Sequence, residues 1–273
     1  PTPGHFLKEL VVDRAERTEE DGRRVGEPLF AAYSLSKRGN VWYSPAVGRH
    51  MHVRWFGHGG ARILAFPTTM GDHNEWPNRY IPDVLYEPIR RGWFQLWCLD
   101  STHDASWYNK SVHPGERAWR HLAYDRYLTD ELLPFTQHVN HHGFVVATGA
   151  SFGAFLAMSF GLRHPTRVHR ILGMSGMYDI RGMTRDYSDG NVYACNPFEF
   201  IPGEWEHWRL EAMRRQDIIM AIGRTDPHYQ QNQAFSSLLV GKGIGNALRE
   251  WDGFAHDWPV WEQMIQRYVG GHD

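Results

Sequence analysis

The chain has 273 residues, 42% of them hydrophobic, and a formal charge of -2. That is enough apolar material for one large α/β domain over 1–273, with no basic field to attract nucleic acid or an anionic membrane. Two cysteines, Cys98 and Cys195, make no disulfide framework, no run of about 18 uncharged apolar residues offers a membrane span, and the opening stretch lacks a leader pattern, so a soluble cytoplasmic protein is expected.

Residues 6–13 (FLKELVVD) and 27–36 (EPLFAAYSLS) read as strands on either side of a solvated turn, and would begin an antiparallel edge. Arg49 to Phe56 alternates as a strand does, and Gly57-His58-Gly59-Gly60 reads as a hairpin turn into a further strand, Ala61 to Phe66. His50 and His52 share one face of their strand, which could begin a metal pair, but no third ligand is near them in sequence and no metal is expected.

From Ala61 onward strand and helix patterns alternate, the mark of a mostly parallel sheet covered on both faces. Asn74 to Arg91 holds an interrupted helix closed by Gly92, and Phe94 to Leu99 is a buried strand ending at Asp100. The polar, aromatic loop STHDASWYNK then falls on the side of the sheet where ligands bind in such folds. A helix over Glu116 to Leu133 should turn Trp119, Leu122, Ala123 and Tyr127 inward and its charges to solvent, and should end at Pro134.

Gly143 to Gly161, GFVVATGASFGAFLAMSFG, is the stretch around which the rest is organised. It reads as a buried strand from Phe144 to Thr148, a turn with Ser151 between Gly149 and Gly153, and a helix apolar almost all round. A serine at such a turn is pushed out above the sheet, in a backbone conformation that leaves no room for side chains two residues before and after it. This is a nucleophile elbow. Chance supplies the five-residue pattern in about one such chain in ten, so the flanking strand and helix carry the reading.

Arg167 to Met174 is the next strand. Between Ile180 and Arg215 periodicity is lost in a run rich in Gly, Pro, Asn and aromatics, which reads as a cap-like insertion at about 180–215 covering the site. Asp217 to Ile222 and Ala247 to Trp251 complete the strands, with helices at Gln230 to Leu239 and Trp258 to Tyr268.

A serine hydroxyl is a poor nucleophile at neutral pH and needs a base, and the base needs an acid to hold its tautomer. Behind an elbow the chain order is serine, acid, histidine. Asp226 follows one late strand and His256 the last, in a loop of its own among 17 histidines, whereas His272 lies in the tail. Asp179 is the second choice of acid, and Asp252 and Asp257 read as cap or turn residues. The oxyanion donors are expected to be the Phe152 N–H, at the positive end of the helix, and an N–H of the loop Pro67 to Gly71, with Thr69 favoured and then Thr68. His58-Gly59-Gly60 precedes its strand and so lies at the wrong end of the sheet.

The segments FPTTMGDHNEW, ATGASFGAFLA followed by RHP, SGMYD, AIGRTDP and AHDWPVW resemble the putative-esterase family of α/β-hydrolases, which includes esterase D (S-formylglutathione hydrolase), feruloyl esterases and the mycolyltransferases. The resemblance extends over roughly residues 45–270. It implies an α/β-hydrolase fold with an antiparallel N-terminal edge, Ser151 as nucleophile, Asp226 and His256 as its partners, and backbone donors at Phe152 and in the Pro-Thr-Thr loop. Threonines stand where the family often has His-Gly or Ser-Gly-Leu, and the cysteine-containing loop of the formylglutathione hydrolases is missing, so that substrate is not implied. The expected activity is cleavage of small carboxylic esters through an acyl-enzyme, without a cofactor, nucleic acid or membrane. An acyltransferase with the same triad and a non-catalytic binding module on the scaffold are the alternatives, and self-assembly is left open. Trp107, Tyr108 and Trp76, with Tyr193, Phe198, Trp205 and Trp208 of the insertion, are candidates for an aromatic substrate wall.

Overall fold

Strands form at each apolar run from Arg49 onward in the computed structural model, which describes residues 37–271. They are β1 (Lys37–Ser44), β2 (Arg49–Phe56), β3 (Ala61–Phe66), β4 (Phe94–Leu99), β5 (Val145–Ala150), β6 (Arg170–Met174), β7 (Asp217–Gly223) and β8 (Ala247–Trp251). Their spatial order is β1-β2-β4-β3-β5-β6-β7-β8. β1 pairs antiparallel with β2 and β2 antiparallel with β4, while every pair from β4 to β8 is parallel. The antiparallel edge is therefore present, although the strands expected at 6–13 and 27–36 lie outside the described residues. β1 was not foreseen as a strand.

The helices are α1 (Glu75–Asn78), α2 (Ile81–Val84), α3 (Tyr86–Arg90), α4 (Pro114–Tyr127), α5 (Leu133–Val139), α6 (Phe152–Arg163), α7 (Arg181–Thr184), α8 (Gly190–Cys195), α9 (Pro197–Gly203), α10 (His207–Arg214), α11 (Tyr229–Gly241) and α12 (Trp258–Tyr268). Strand side chains alternate between two cores, as the period of two requires. Ile63, Ala65, Val146, Leu172 and Ile219 face α1–α3 and α12, whereas Leu64, Phe66, Ala147, Ile171 and Met220 face α4, α6 and α11. α6 is buried from Phe152 to Leu162; a helix that is apolar all round has to be enclosed on all sides.

Three expectations are corrected. β2 and β3 do not form a hairpin, because β4 lies between them. The Ala61 N–H bonds the Trp93 carbonyl, and a Cβ on Gly60 would lie 2.2 Å from the Trp93 backbone, so the chain passes under the start of β4 instead of folding back on β2. The helix after β4 does not stop at Pro134 either. A wide π-type turn at Leu128–Leu132 leads into α5, whose first turn accommodates Pro134 without needing its missing N–H. That turn aims Glu131 back at the sheet edge, where it accepts hydrogen bonds of 2.8 Å each from Trp42 Nε1 and Ser44 Oγ. Finally, the inner face of α4 carries Ala123 and Tyr127 as expected, together with Ala118, His121 and Tyr124, while Trp119 is exposed. Not all its charges are solvated: Asp125 is buried and holds Arg163 and His164 at 3.3 and 2.9 Å.

The stretch without periodicity between Ile180 and Arg215 becomes α7–α10. Val192, Cys195, Ile201 and Met213 are buried in the same core as α6, and Ser159 of α6 donates to the Cys195 carbonyl at 2.9 Å. No helix among the described residues is long and apolar enough to cross a membrane.

Candidate active site

Ser151 stands between the end of β5 and the start of α6 with φ 54° and ψ -119°, a strained conformation for a residue with a side chain. Its N–H is tied to the Met174 carbonyl at 2.8 Å. The two flanking glycines are dictated by contact. A Cβ on Gly149 would lie 2.2 Å from the Gly153 backbone, and one on Gly153 would lie 2.6 and 2.7 Å from the carbonyl oxygens of Phe66 and Pro67. The second contact seats the start of α6 directly on the loop that leaves β3.

The structure brings Ser151, His256 and Asp226 together. His256 Nε2 is 3.1 Å from Ser151 Oγ, and His256 Nδ1 is 2.7 Å from Asp226 Oδ2. The Asp226 side chain is fully buried and that of His256 is 19% exposed. An acid acceptor at Nδ1 assigns the proton to that nitrogen and leaves the Nε2 lone pair facing the serine hydroxyl. The second Asp226 oxygen accepts the His228 N–H at 2.8 Å, and burial holds the His228 imidazole below its ordinary pKa. A loop shaped by Ala255, with φ 48°, delivers His256. Ser175 Oγ donates to the Ala255 carbonyl at 2.8 Å and accepts from Trp261 Nε1 at 3.0 Å, bracing that loop against α12.

The rival acids are engaged elsewhere. Asp179 is paired with Arg181 and also accepts from Asn196; Asp252 meets Arg224 at 2.8 Å; Asp257 caps α12 through the Trp258 N–H.

For the oxyanion, the Phe152 N–H lies at the first position of α6, where no carbonyl of its own helix can reach it. In the facing loop Thr68 is corrected, because its N–H is already donated to Glu75 Oε2 at 2.7 Å and its hydroxyl to the other Glu75 oxygen. Burial raises the Glu75 carboxyl above its ordinary pKa, against the opposing pull of these Thr68 bonds. The Met70 N–H goes to His103 Nδ1 at 3.0 Å and that of Gly71 to the Thr68 carbonyl. Among the described residues the Thr69 N–H has no such acceptor, and its hydroxyl meets Tyr108 OH at 2.8 Å. The Tyr108 ring stands edge-on to Phe152 with centroids 5.1 Å apart. His103 lies against the same ring of Phe152, and burial pushes its pKa down to about 3, leaving it neutral to accept from Met70.

Of the expected aromatic wall, only Tyr108 lies beside these donors. Trp76 and Trp107 are both 1% exposed. Trp76 spends its indole N–H on the Phe66 carbonyl and packs on Trp258, and Trp107 packs on Phe155, so both are core residues. Tyr193 and Trp208 line a cleft with Arg163 and Arg209 at the far end of α6, about 18 Å from Ser151 at 1.5 Å per helical residue. Phe198 packs on Phe235, and Trp205 is exposed beneath Lys242. Glu75, His103 and Ser175 were not anticipated. The only hint was a polar residue directly after a buried strand, in SGMYD for Ser175; Glu75 and His103 carry no spacing rule at all.

The sequence pattern of the family described as "Putative esterase" matches residues 99–269, more than half of the chain. No curated protein matches this chain. Among solved structures, a ferulic acid esterase superposes with a TM-score of 0.68 at 16% identity, covering 85% of this chain and 95% of that one. An S-formylglutathione hydrolase from Agrobacterium tumefaciens gives 0.68 at 13% identity, covering 88% and 95%. MPT51 from Mycobacterium tuberculosis gives 0.61 at 15% identity, covering 84% and 96%. At these identities the structures share the α/β-hydrolase fold with this chain.

Proposed function

This chain belongs to the putative-esterase family and is a carboxylic ester hydrolase, and we propose that it works through an acyl-enzyme on Ser151. The observation that carries the proposal is the continuous hydrogen-bonded chain from Ser151 Oγ through His256 to the buried Asp226.

His256 Nε2 takes the hydroxyl proton as Ser151 Oγ attacks the ester carbonyl carbon. The carbonyl oxygen gains negative charge and is met by the N–H groups of Phe152 and Thr69, fixed before reaction by the elbow and by the clamped loop. Asp226, shielded from water, stabilises the imidazolium that forms. The imidazolium then protonates the departing alcohol, leaving the acyl group on Ser151. Water enters, gives its proton to His256 and attacks the same carbon, and the acid leaves as Oγ recovers its proton. Tyr108, standing over Phe152 and bonded to Thr69, forms one wall for the acyl or alcohol group.

Ser151→Ala should lower kcat/KM on p-nitrophenyl acetate by on the order of 10^4 or more, with an unchanged circular dichroism spectrum. Turnover equal to the wild type would remove Ser151 from the mechanism.

A further inference from the structure

We propose that His52, His73 and Asp100 form a binding site for a divalent transition metal of the zinc class. The three residues come from different places, β2, the loop after β3 and the end of β4, which is why sequence offers His52 no third ligand. Their ligand atoms all lie within 4.8 Å of one another. His52 Nδ1 is 3.2 Å from Asp100 Oδ2, and His73 Nδ1 is 3.8 Å from Asp100 Oδ1.

A plain cluster of hydrogen bonds explains only part of this. His73 Nδ1 is buried and has no hydrogen-bond partner among the described residues, since 3.8 Å is too long for one. A buried ring nitrogen left unpaired is unusual and calls for a missing partner. Two bonds of about 2.0–2.2 Å meeting at the tetrahedral angle set their ligand atoms about 3.4 Å apart, so the 3.2 Å pair already suits one ion and the 3.8 Å pair is within about half an ångström of it. The widest gap, at most 4.8 Å, closes by up to about 1.4 Å on binding. The His52 and His73 rings lie parallel, 4.7 Å apart at 10°; His52, whose side chain is 45% exposed, is free to turn out of the stack and bring Nδ1 onto the ion. Its exposed side also leaves a coordination position to water.

Two imidazoles and one carboxylate favour zinc and its neighbours over magnesium or calcium, which take oxygen ligands. Supporting contacts are in place. Asp100 Oδ1 accepts the Ser101 N–H and Oδ2 the His52 N–H, each at 3.0 Å. Metal on His73 Nδ1 puts the ring proton on Nε2, at the half-buried edge of the ring beside the Asn74 side chain. None of the three ligands belongs to the Ser151–His256–Asp226 chain.

The test is cobalt(II) and zinc binding by the chelator-stripped full chain, followed by metal analysis and by the visible absorption of nitrogen-ligated cobalt. The wild type should take up one ion per chain. His52→Ala and Asp100→Asn should each weaken binding by more than about tenfold, and Ser151→Ala should bind as the wild type does whatever becomes of its esterase activity. Lack of uptake by folded wild type would overturn the site. So would unchanged affinity in His52→Ala, which would put the ion on others of the 17 histidines; this half-exposed position also keeps the test valid if Asp100→Asn fails to fold.

Discussion

Ser151, Asp226 and His256 lie one, three and five residues past the ends of β5, β7 and β8, so parallel strands aim all three at one point. The facing half of the site is made differently. Thr69, Tyr108 and His103 lie in loops after β3 and β4, and their places are set by side chains clamping backbone: Glu75 on Thr68, His103 on Met70, Tyr108 on Thr69. Strand direction is a property of the whole sheet and survives many substitutions. A clamp depends on one or two hydrogen bonds, each worth about 0.5–1.5 kcal/mol between neutral groups and about 1.5–3 kcal/mol when one is charged. The first region should therefore fail chemically when altered and the second geometrically.

The largest separation of the two comes from Asp226→Asn. It keeps the shape of the acid but presents an amide to His256 Nδ1, and kcat should fall about 10^4-fold with little change in KM or in unfolding free energy. A drop of less than about tenfold would show that Asp226 does not set the histidine tautomer.

Glu75→Ala tests the clamp. Freeing Thr68 lets the loop carrying Thr69 drift, and a displacement of this kind should lower kcat by about 10- to 100-fold with a smaller effect on KM. Glu75→Gln, which retains an acceptor for the Thr68 N–H, should recover much of the loss. Equal losses in kcat and in stability, without rescue, would reduce Glu75 to a structural residue.

The smallest effect is in the pH dependence of stability. Burial lowers the pKa of His121 to about 4 and that of His103 to about 3. Between these values and the ordinary imidazole value near 6.5, the unfolded chain binds more protons than the folded one. Stability should then be level above about pH 6.5 and fall on acidification, by up to about 1.4 kcal/mol per pH unit for each group. Urea unfolding of His121→Leu at pH 7 and pH 5 should show the slope reduced by one group's share. An identical slope would mean that His121 does not stay neutral in the fold.

The same contrast decides what could be read from sequence. The parallel strands, the elbow and the order serine, acid, histidine follow from local apolar runs and from where turns must fall, and the chain makes them at those places. The interposition of β4 between β2 and β3 could not be read, because adjacent runs with a glycine turn suggest pairing and only the partner from Phe94–Leu99 overrules it. Arg117 and Asp125 looked like solvated helix charges, yet they are buried, Arg117 against the Met183 carbonyl of α7 and Asp125 against the end of α6. Trp76 and Trp107 can be read as wall or as core, and only their burial separates the two. Glu75 reaches Thr68 from seven residues away through its side chain alone, which no periodicity records.

Labelling with a fluorophosphonate, which needs both an activated hydroxyl and an oxyanion site, tests the central claim most directly. The folded wild type should gain one adduct, located on Ser151 by peptide mass analysis, with none on Ser151→Ala and a rate on His256→Ala lowered by about 10^3-fold or more. Folded protein that stays unlabelled, or that carries the adduct on another residue, would contradict it.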